Sequence, residues 1–181
     1  ELLARDLDGD LPFSVERRVL SNGSIYIGMA QLSDGQQALL AADDAPIDLA
    51  AFGVDPQQGF CRGVAATFSP SHPASEVEQE VQWLFASYAD GHKLLPRTIR
   101  YIEDRRAEEA RFTGAIERHP SPLGVVWGRL DPIAVHAMTD RLLAARPDAI
   151  LHTLDDVGHY PMVEAPGPFA DACLELIAKD V

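Results

Sequence analysis

Residues 121–166 read SPLGVVWGRLDPIAVHAMTDRLLAARPDAILHTLDDVGHYPMVEAP, and this stretch decides the fold. It opens with PLGVVWG (122–128), a compact apolar run of strand length. PIAVHAMTDRLLAARP (132–147) follows as a helix, with Val135, Met138, Leu142 and Leu143 on one face. AILHTL (149–154) is a second strand. Just beyond, GPFADACLELIAKD (167–180) is a final helix with Phe169, Cys173, Leu176 and Ile177 on one face. Strand, helix, strand, helix with short links predicts a parallel sheet covered by helices.

Working outward, RRVLSNG (17–23) ends in an Asn-Gly turn signal and supplies a further strand of the same sheet. Residues 30–115 then read as a helical insertion between two sheet strands. In MAQLSDGQQALLAA (29–42) Ser-Asp-Gly interrupts the helix formers. APIDLAAFG (45–53) is a short helix closed by Gly53, and FSPSHPAS (68–75) is a Pro/Ser-rich loop. Ser75 and Glu78 form a capping box, followed by one apolar stripe of Val77, Val81, Leu84, Phe85 and Tyr88. Asp90-Gly91 ends that helix; another runs from Pro96 through Phe112 with Ile99 and Ile102 inward.

The 181 residues are 46% apolar, enough for one domain with its own core. A net charge of −13 argues against nucleic acid and anionic membranes as partners. Cys61 and Cys173 form neither a metal spacing nor a disulfide framework, which fits a reducing compartment. No run reaches the roughly 18–20 apolar residues of a membrane span, and no basic-then-apolar leader opens the chain. A cytoplasmic location is the simplest expectation. ELLARDLDG at the start lacks a cap and reads as the tail of a helix, so a fragment is expected.

In parallel sheets, functional groups gather past the carboxyl ends of the strands. Three loops qualify: SNGS, GRLDP and DDVGHYP. Asp131 in the second and His159 in the third suit an orienter and a base. The imidazole exchanges protons near neutral pH, and the carboxylate fixes its tautomer. An Asp before Pro is also an ordinary N-cap, and Gly-His after a strand is also an ordinary turn. Asp155 and Asp156 read as solvated loop charges. His72, His92, His119, His136 and His152 show no metal-ligand spacing and read as surface or packing residues. Asn22 either lines the pocket or is a plain turn residue. No G-x-G-x-x-G follows a strand, which disfavours a Rossmann or flavodoxin-like binding domain. Neither a cofactor nor a metal is expected.

The whole of residues 121–166 resembles the C-terminal half of an α/β-hydrolase-fold enzyme: an apolar strand ending in W-G, an x-D-P, a helix, a second strand, G-H-Y-P and E-A-P. RRVLSNGSIYIGMAQL (17–32) resembles the family's sixth strand and the entry to its helical cap, and RYIEDRRAEEARFTGAIE (100–117) resembles the cap's exit helix. The pattern is most similar to the epoxide hydrolase and haloalkane dehalogenase branch. The resemblance implies three parts: core residues 1–29, a helical cap over 30–115, and the C-terminal core over 116–181. It assigns the triad acid to Asp131 and the base to His159. It implies a small apolar substrate under the cap. With an Asp nucleophile the reaction is epoxide opening or halide displacement, Tyr101 then being the candidate proton donor and Tyr88 the reserve. With a Ser nucleophile it is ester or related acyl hydrolysis. Neither G-x-S-x-G nor H-D-x-G occurs here, nor an H-G-type oxyanion segment. The resemblance therefore implies that the nucleophile and the N-terminal half of the fold, its partner, are missing from these residues. The competing expectation is a non-catalytic binding or interaction module that kept the cap and half a sheet.

Overall fold

A computed structural model describes residues 1–178. Its sheet has three parallel strands in the order of the chain: β1 (Arg18–Ser21), β2 (Leu123–Gly128) and β3 (Ile150–Leu154). Arg18 pairs with Leu123 and Ser21 with Val126; Gly124 pairs with Ile150 and Gly128 with Leu154. All six residues of β2 are buried, as expected for a strand flanked on both edges and covered on both faces.

Period-two alternation sends Val125 and Trp127 to one face and Val126 to the other. The first face packs against Ile25, Tyr26, Ala134, Met138 and Leu142; the second against Ala172 and Leu176. The Trp127 indole N–H is buried but satisfied, donating to the Ala134 carbonyl at 2.9 Å. Met138 and Leu142 belong to a helix that covers one face, and Ala172 and Leu176 to a helix that covers the other.

Ten α-helices are described: α1 (Leu2–Leu7), α2 (Asp34–Ala41), α3 (Pro56–Ala65), α4 (Glu76–Ser87), α5 (Leu95–Thr98), α6 (Tyr101–Ala107), α7 (Glu109–Arg118), α8 (Ala137–Ala145), α9 (Pro161–Glu164) and α10 (Pro166–Ala178). The segment between β1 and β2 contains α2 to α7 and no strand among the described residues.

Several elements differ from expectation. Ser33-Asp-Gly starts α2 rather than interrupting a helix: Ser33 Oγ accepts from Gln36 N, and Gln36 answers the Ser33 N–H. The helix expected from Pro96 through Phe112 is three pieces, α5, α6 and the start of α7. At its first break the Arg100 guanidinium reaches the Leu40 and Ala42 carbonyls at the end of α2, and Arg100 N and Ile102 N bond to carbonyls three residues back. Ile99 and Ile102 are buried as anticipated. The helix expected from Pro132 begins only at Ala137, after a turn organised by Asp131. The last helix was expected over 167–180; it runs to Ala178, and residues 179–180 lie outside the described residues.

The capping box at Ser75 and Glu78 is formed. The stripe after it faces water: Phe85 is 77% and Tyr88 81% exposed, with Val77, Val81 and Leu84 also exposed. The opposite face of α4 is the packed one. Trp83 lies 5.7 Å from Phe60 of α3 and 5.1 Å from the His92 ring. Two faces of one helix compete for one neighbour, and the Trp83 face takes it.

Candidate active site

Three strand ends bring the polar groups together. The chain leaves β1 at Asn22, whose φ of 38° lies in the left-handed region that Asn tolerates better than most residues. It leaves β2 at Gly128 and β3 at Leu154, and the two loops that follow are tied by backbone bonds. Arg129 N donates to the Leu154 carbonyl and Leu130 N to the Val157 carbonyl, both at 2.9 Å. A Cβ on Gly128 would fall 2.2 Å from the Gly158 oxygen and 2.7 Å from the Val157 oxygen. Only a glycine lets the end of β2 and the His159 loop approach this closely.

Asp131 and His159 meet: His159 Nδ1 lies 2.8 Å from Asp131 Oδ2. The two oxygens of Asp131 divide the work. Oδ1 accepts from Ile133 N at 2.8 Å and Ala134 N at 2.9 Å, which is the capping role common to Asp-Pro. Oδ2 faces His159 and also accepts from Asn22 Nδ2 at 2.7 Å. The cap and the contact with His159 are thus both formed, one per oxygen. The Asp131 side chain is 0% exposed and that of His159 20%. The carboxylate is shielded while the imidazole edge is reachable. With Nδ1 donating to Asp131, Nε2 has no partner among the described residues and is the nitrogen free to exchange protons with a reactant.

Asn22, expected either to line the pocket or to be a plain turn residue, joins the strand ends. It is buried, and both ends of its amide are used. Nδ2 donates to Asp131, to the Gly158 carbonyl at 3.2 Å and weakly to the Gly128 carbonyl at 3.4 Å, while Oδ1 accepts from Gly128 N at 2.9 Å. It pins the three strand ends to one another. Tyr88 stands in solvent at the end of α4. Tyr101 is half exposed. It lies near enough to Tyr160 for its charge to add to the upward shift of the Tyr160 phenol, which is caused first by burial and next by Asp131.

Tyr160 itself carried no signal in the sequence beyond its place after His159. Its ring meets the His159 ring edge-on at 4.9 Å and the Phe68 ring at 5.3 Å. Glu164, within the E-A-P noted above, is buried beneath the same loop.

The remaining histidines and acids fall elsewhere. His119 is buried against Asp6 at 2.7 Å, at the opposite end of the sheet. Asp155 pairs with Arg129 at 2.6 Å and Asp156 lies 4.0 Å from His72, both at the surface. Among the described residues no cluster of three or more His, Cys, Asp or Glu is placed to hold a metal ion. Among them, too, no helix is long and apolar enough to cross a membrane.

A family model described as the alpha/beta hydrolase family matches residues 3–172. LipZ of Mycobacterium tuberculosis, named as a hydrolase, is 42% identical over 177 residues, which cover 98% of this chain and 60% of LipZ. Among solved structures, a protein from Burkholderia cenocepacia described as an aryl esterase superposes with a TM-score of 0.67 at 15% identity, over 98% of this chain and 61% of that one. A bromoperoxidase from Bacillus anthracis gives 0.67 at 13% identity, over 98% and 63%. At such identities these two likenesses concern the fold. The chain thus spans 60% of the length of LipZ.

Proposed function

The chain belongs to the alpha/beta hydrolase family, and from that premise we propose that Asp131 and His159 are the acid and base of a catalytic triad in a hydrolase acting on a small apolar ester. The nucleophile is assigned to a part of the polypeptide outside these 181 residues. One observation carries the reading: a fully shielded carboxylate, held by other donors, aims one oxygen at the Nδ1 of a partly exposed imidazole at 2.8 Å.

The chemistry follows from that geometry. Asp131 holds the imidazole in the tautomer that leaves Nε2 able to take a proton. In the ester reaction Nε2 removes the proton of a seryl hydroxyl as its oxygen attacks the carbonyl carbon. The same proton then goes to the departing alkoxide, and water repeats the cycle to release the acid. Asp131 stabilises the imidazolium at each stage. The α2 to α7 segment is assigned the role of a cover over the site. The 42% identity with LipZ, named as a hydrolase, supports hydrolysis, and probes of each class distinguish the ester from an epoxide or a haloalkane.

A second reading rests on Tyr101. In it, the half-exposed phenol of Tyr101 is assigned the protonation of an opening epoxide oxygen. In that version the nucleophile is an Asp, and His159 activates the water that releases the covalent ester.

The test uses a polypeptide that joins these residues to a nucleophile-bearing N-terminal half, assayed with aryl ester, epoxide and haloalkane probes. His159→Gln should lower kcat by about 10³-fold or more on the true substrate class. Turnover retained within tenfold would remove His159 from the mechanism. Loss on the epoxide alone, matched by Tyr101→Phe, would select the second reading.

A further inference from the structure

We propose that Glu164 is a positioning residue for the base: one buried carboxylate fixes the backbone on both sides of His159 and ties it to residues 67–69 of the helical excursion. The proposal rests on the reading of His159 as the base and says what holds it there.

Residues 157–160 belong to no helix or strand, so their N–H groups have no ladder to join. Three consecutive donors are nevertheless satisfied. Gly158 N donates to Glu164 Oε2 at 2.7 Å, His159 N to the Thr67 carbonyl at 3.0 Å, and Tyr160 N to Glu164 Oε1 at 2.9 Å. Glu164 Oε2 also accepts from Ser69 N at 2.9 Å. Both anchors of the His159 backbone, Thr67 and Glu164, therefore converge on the same short piece of the excursion. Packing agrees with the bonds. A Cβ on Gly158 would stand 2.7 Å from the Thr67 oxygen and 2.8 Å from Ser69 N, so the two backbones are in direct contact. The Phe68 ring covers Tyr160 at 5.3 Å.

Among the described residues no lysine or arginine pairs with Glu164. Its carboxylate is met by three backbone N–H dipoles, from Ser69, Gly158 and Tyr160. Such an acceptor set is intolerant of a neutral isostere. Glutamine has nearly the same shape, but its amide nitrogen cannot accept. In one orientation it faces the Tyr160 N–H; in the other it faces those of Gly158 and Ser69. Either way a donor meets a donor, and the loop must shift at a residue next to His159.

The test has two arms. In the unmodified chain, amide hydrogen exchange at Gly158 and Tyr160 should be slowed to the level of β2, although neither lies in regular structure. Exchange at the free-peptide rate would overturn the proposal without any variant. In Glu164→Gln, proton NMR should show the far-downfield Nδ1–H signal of the His159–Asp131 bond shifted upfield or broadened away. In the polypeptide with its nucleophile, kcat should fall about 10–100-fold while KM stays within about threefold, the pattern of a base displaced by about an ångström. Glu164→Asp, which keeps the charge but shortens the reach, should recover part of kcat. An unchanged Nδ1–H signal with unchanged kcat in Glu164→Gln would sink the positioning role. Full turnover in His159→Gln would sink the base instead, leaving the exchange and NMR results intact, so the two failures are separable.

Discussion

Asn22→Ala is the substitution whose cost the structure defines most completely. Three consequences stack at one residue. The hydrogen bond from Nδ2 to the Asp131 carboxylate, 2.7 Å long and buried, disappears; bonds to charged groups contribute about 1.5–3 kcal/mol. Gly128 N, which donates to Asn22 Oδ1 at 2.9 Å, becomes a buried donor without a partner, at about 1–3 kcal/mol. Alanine must also adopt a φ of 38°, which costs it about 1 kcal/mol more than asparagine. We expect a total of about 4–6 kcal/mol, a large part of the roughly 5–15 kcal/mol that holds a domain together. Equilibrium urea denaturation followed by far-UV circular dichroism reads it directly. Asn22→Gly separates the parts: it loses both bonds but accepts the backbone angle, so it should be about 1 kcal/mol more stable than the alanine variant. An Asn22→Ala protein within about 1 kcal/mol of the parent would show that the three strand ends are not held by this amide.

Two further outcomes are expected. Asp6 has its pKa lowered chiefly by the hydrogen bond with His119, with burial opposing. A carboxyl depressed in the folded state contributes stability that is full above the unfolded value of about 3.9 and lost as pH falls through the lower folded value. Asp6→Asn should therefore flatten the acid limb of the urea midpoint as pH falls below about 4, and curves parallel to the parent's would contradict this. Arg18 is buried, its pKa lowered to about 10 first by that burial and then by the Arg146 charge, and it donates to the carbonyls of Ile116, His119 and Ser121 at 2.7–2.9 Å. Arg18→Met should cost about 2–4 kcal/mol by urea denaturation, because those carbonyls lose a shared donor although Arg146 still reaches two of them.

The sheet was legible because its strands are short apolar runs bounded by turn residues, a signal that depends on local sequence alone. So were Asp131 and His159, each just past a strand. The partners of those two were hidden for a physical reason. Asn22 lies 109 positions from Asp131, and an Asn-Gly at a strand end reads as a turn whether or not its amide reaches across the sheet. Glu164 looks like an ordinary acid in a short helix until the loop folds back over it. The stripe on α4 shows a different limit. Periodicity establishes that one face is apolar, but the neighbour went to the face bearing Trp83. At the break between α5 and α6 Arg100 reaches the far end of α2, a long-range contact that local propensity does not register.

Asn22 and Asp131 touch, yet 108 residues of chain depart and return between them. Strand register is set by backbone bonds between β1 and β2, so the span of the detour is almost free to vary. Closing a flexible segment costs entropy that grows only as the logarithm of its length, about 0.6 kcal/mol for each doubling. Halving or doubling this excursion would leave the amide and the carboxylate where they are, provided the short stretch at 67–69 still reached the His159 loop. The architecture therefore permits the segment between β1 and β2 to be rebuilt while the contact between Asp131 and His159 stays in place.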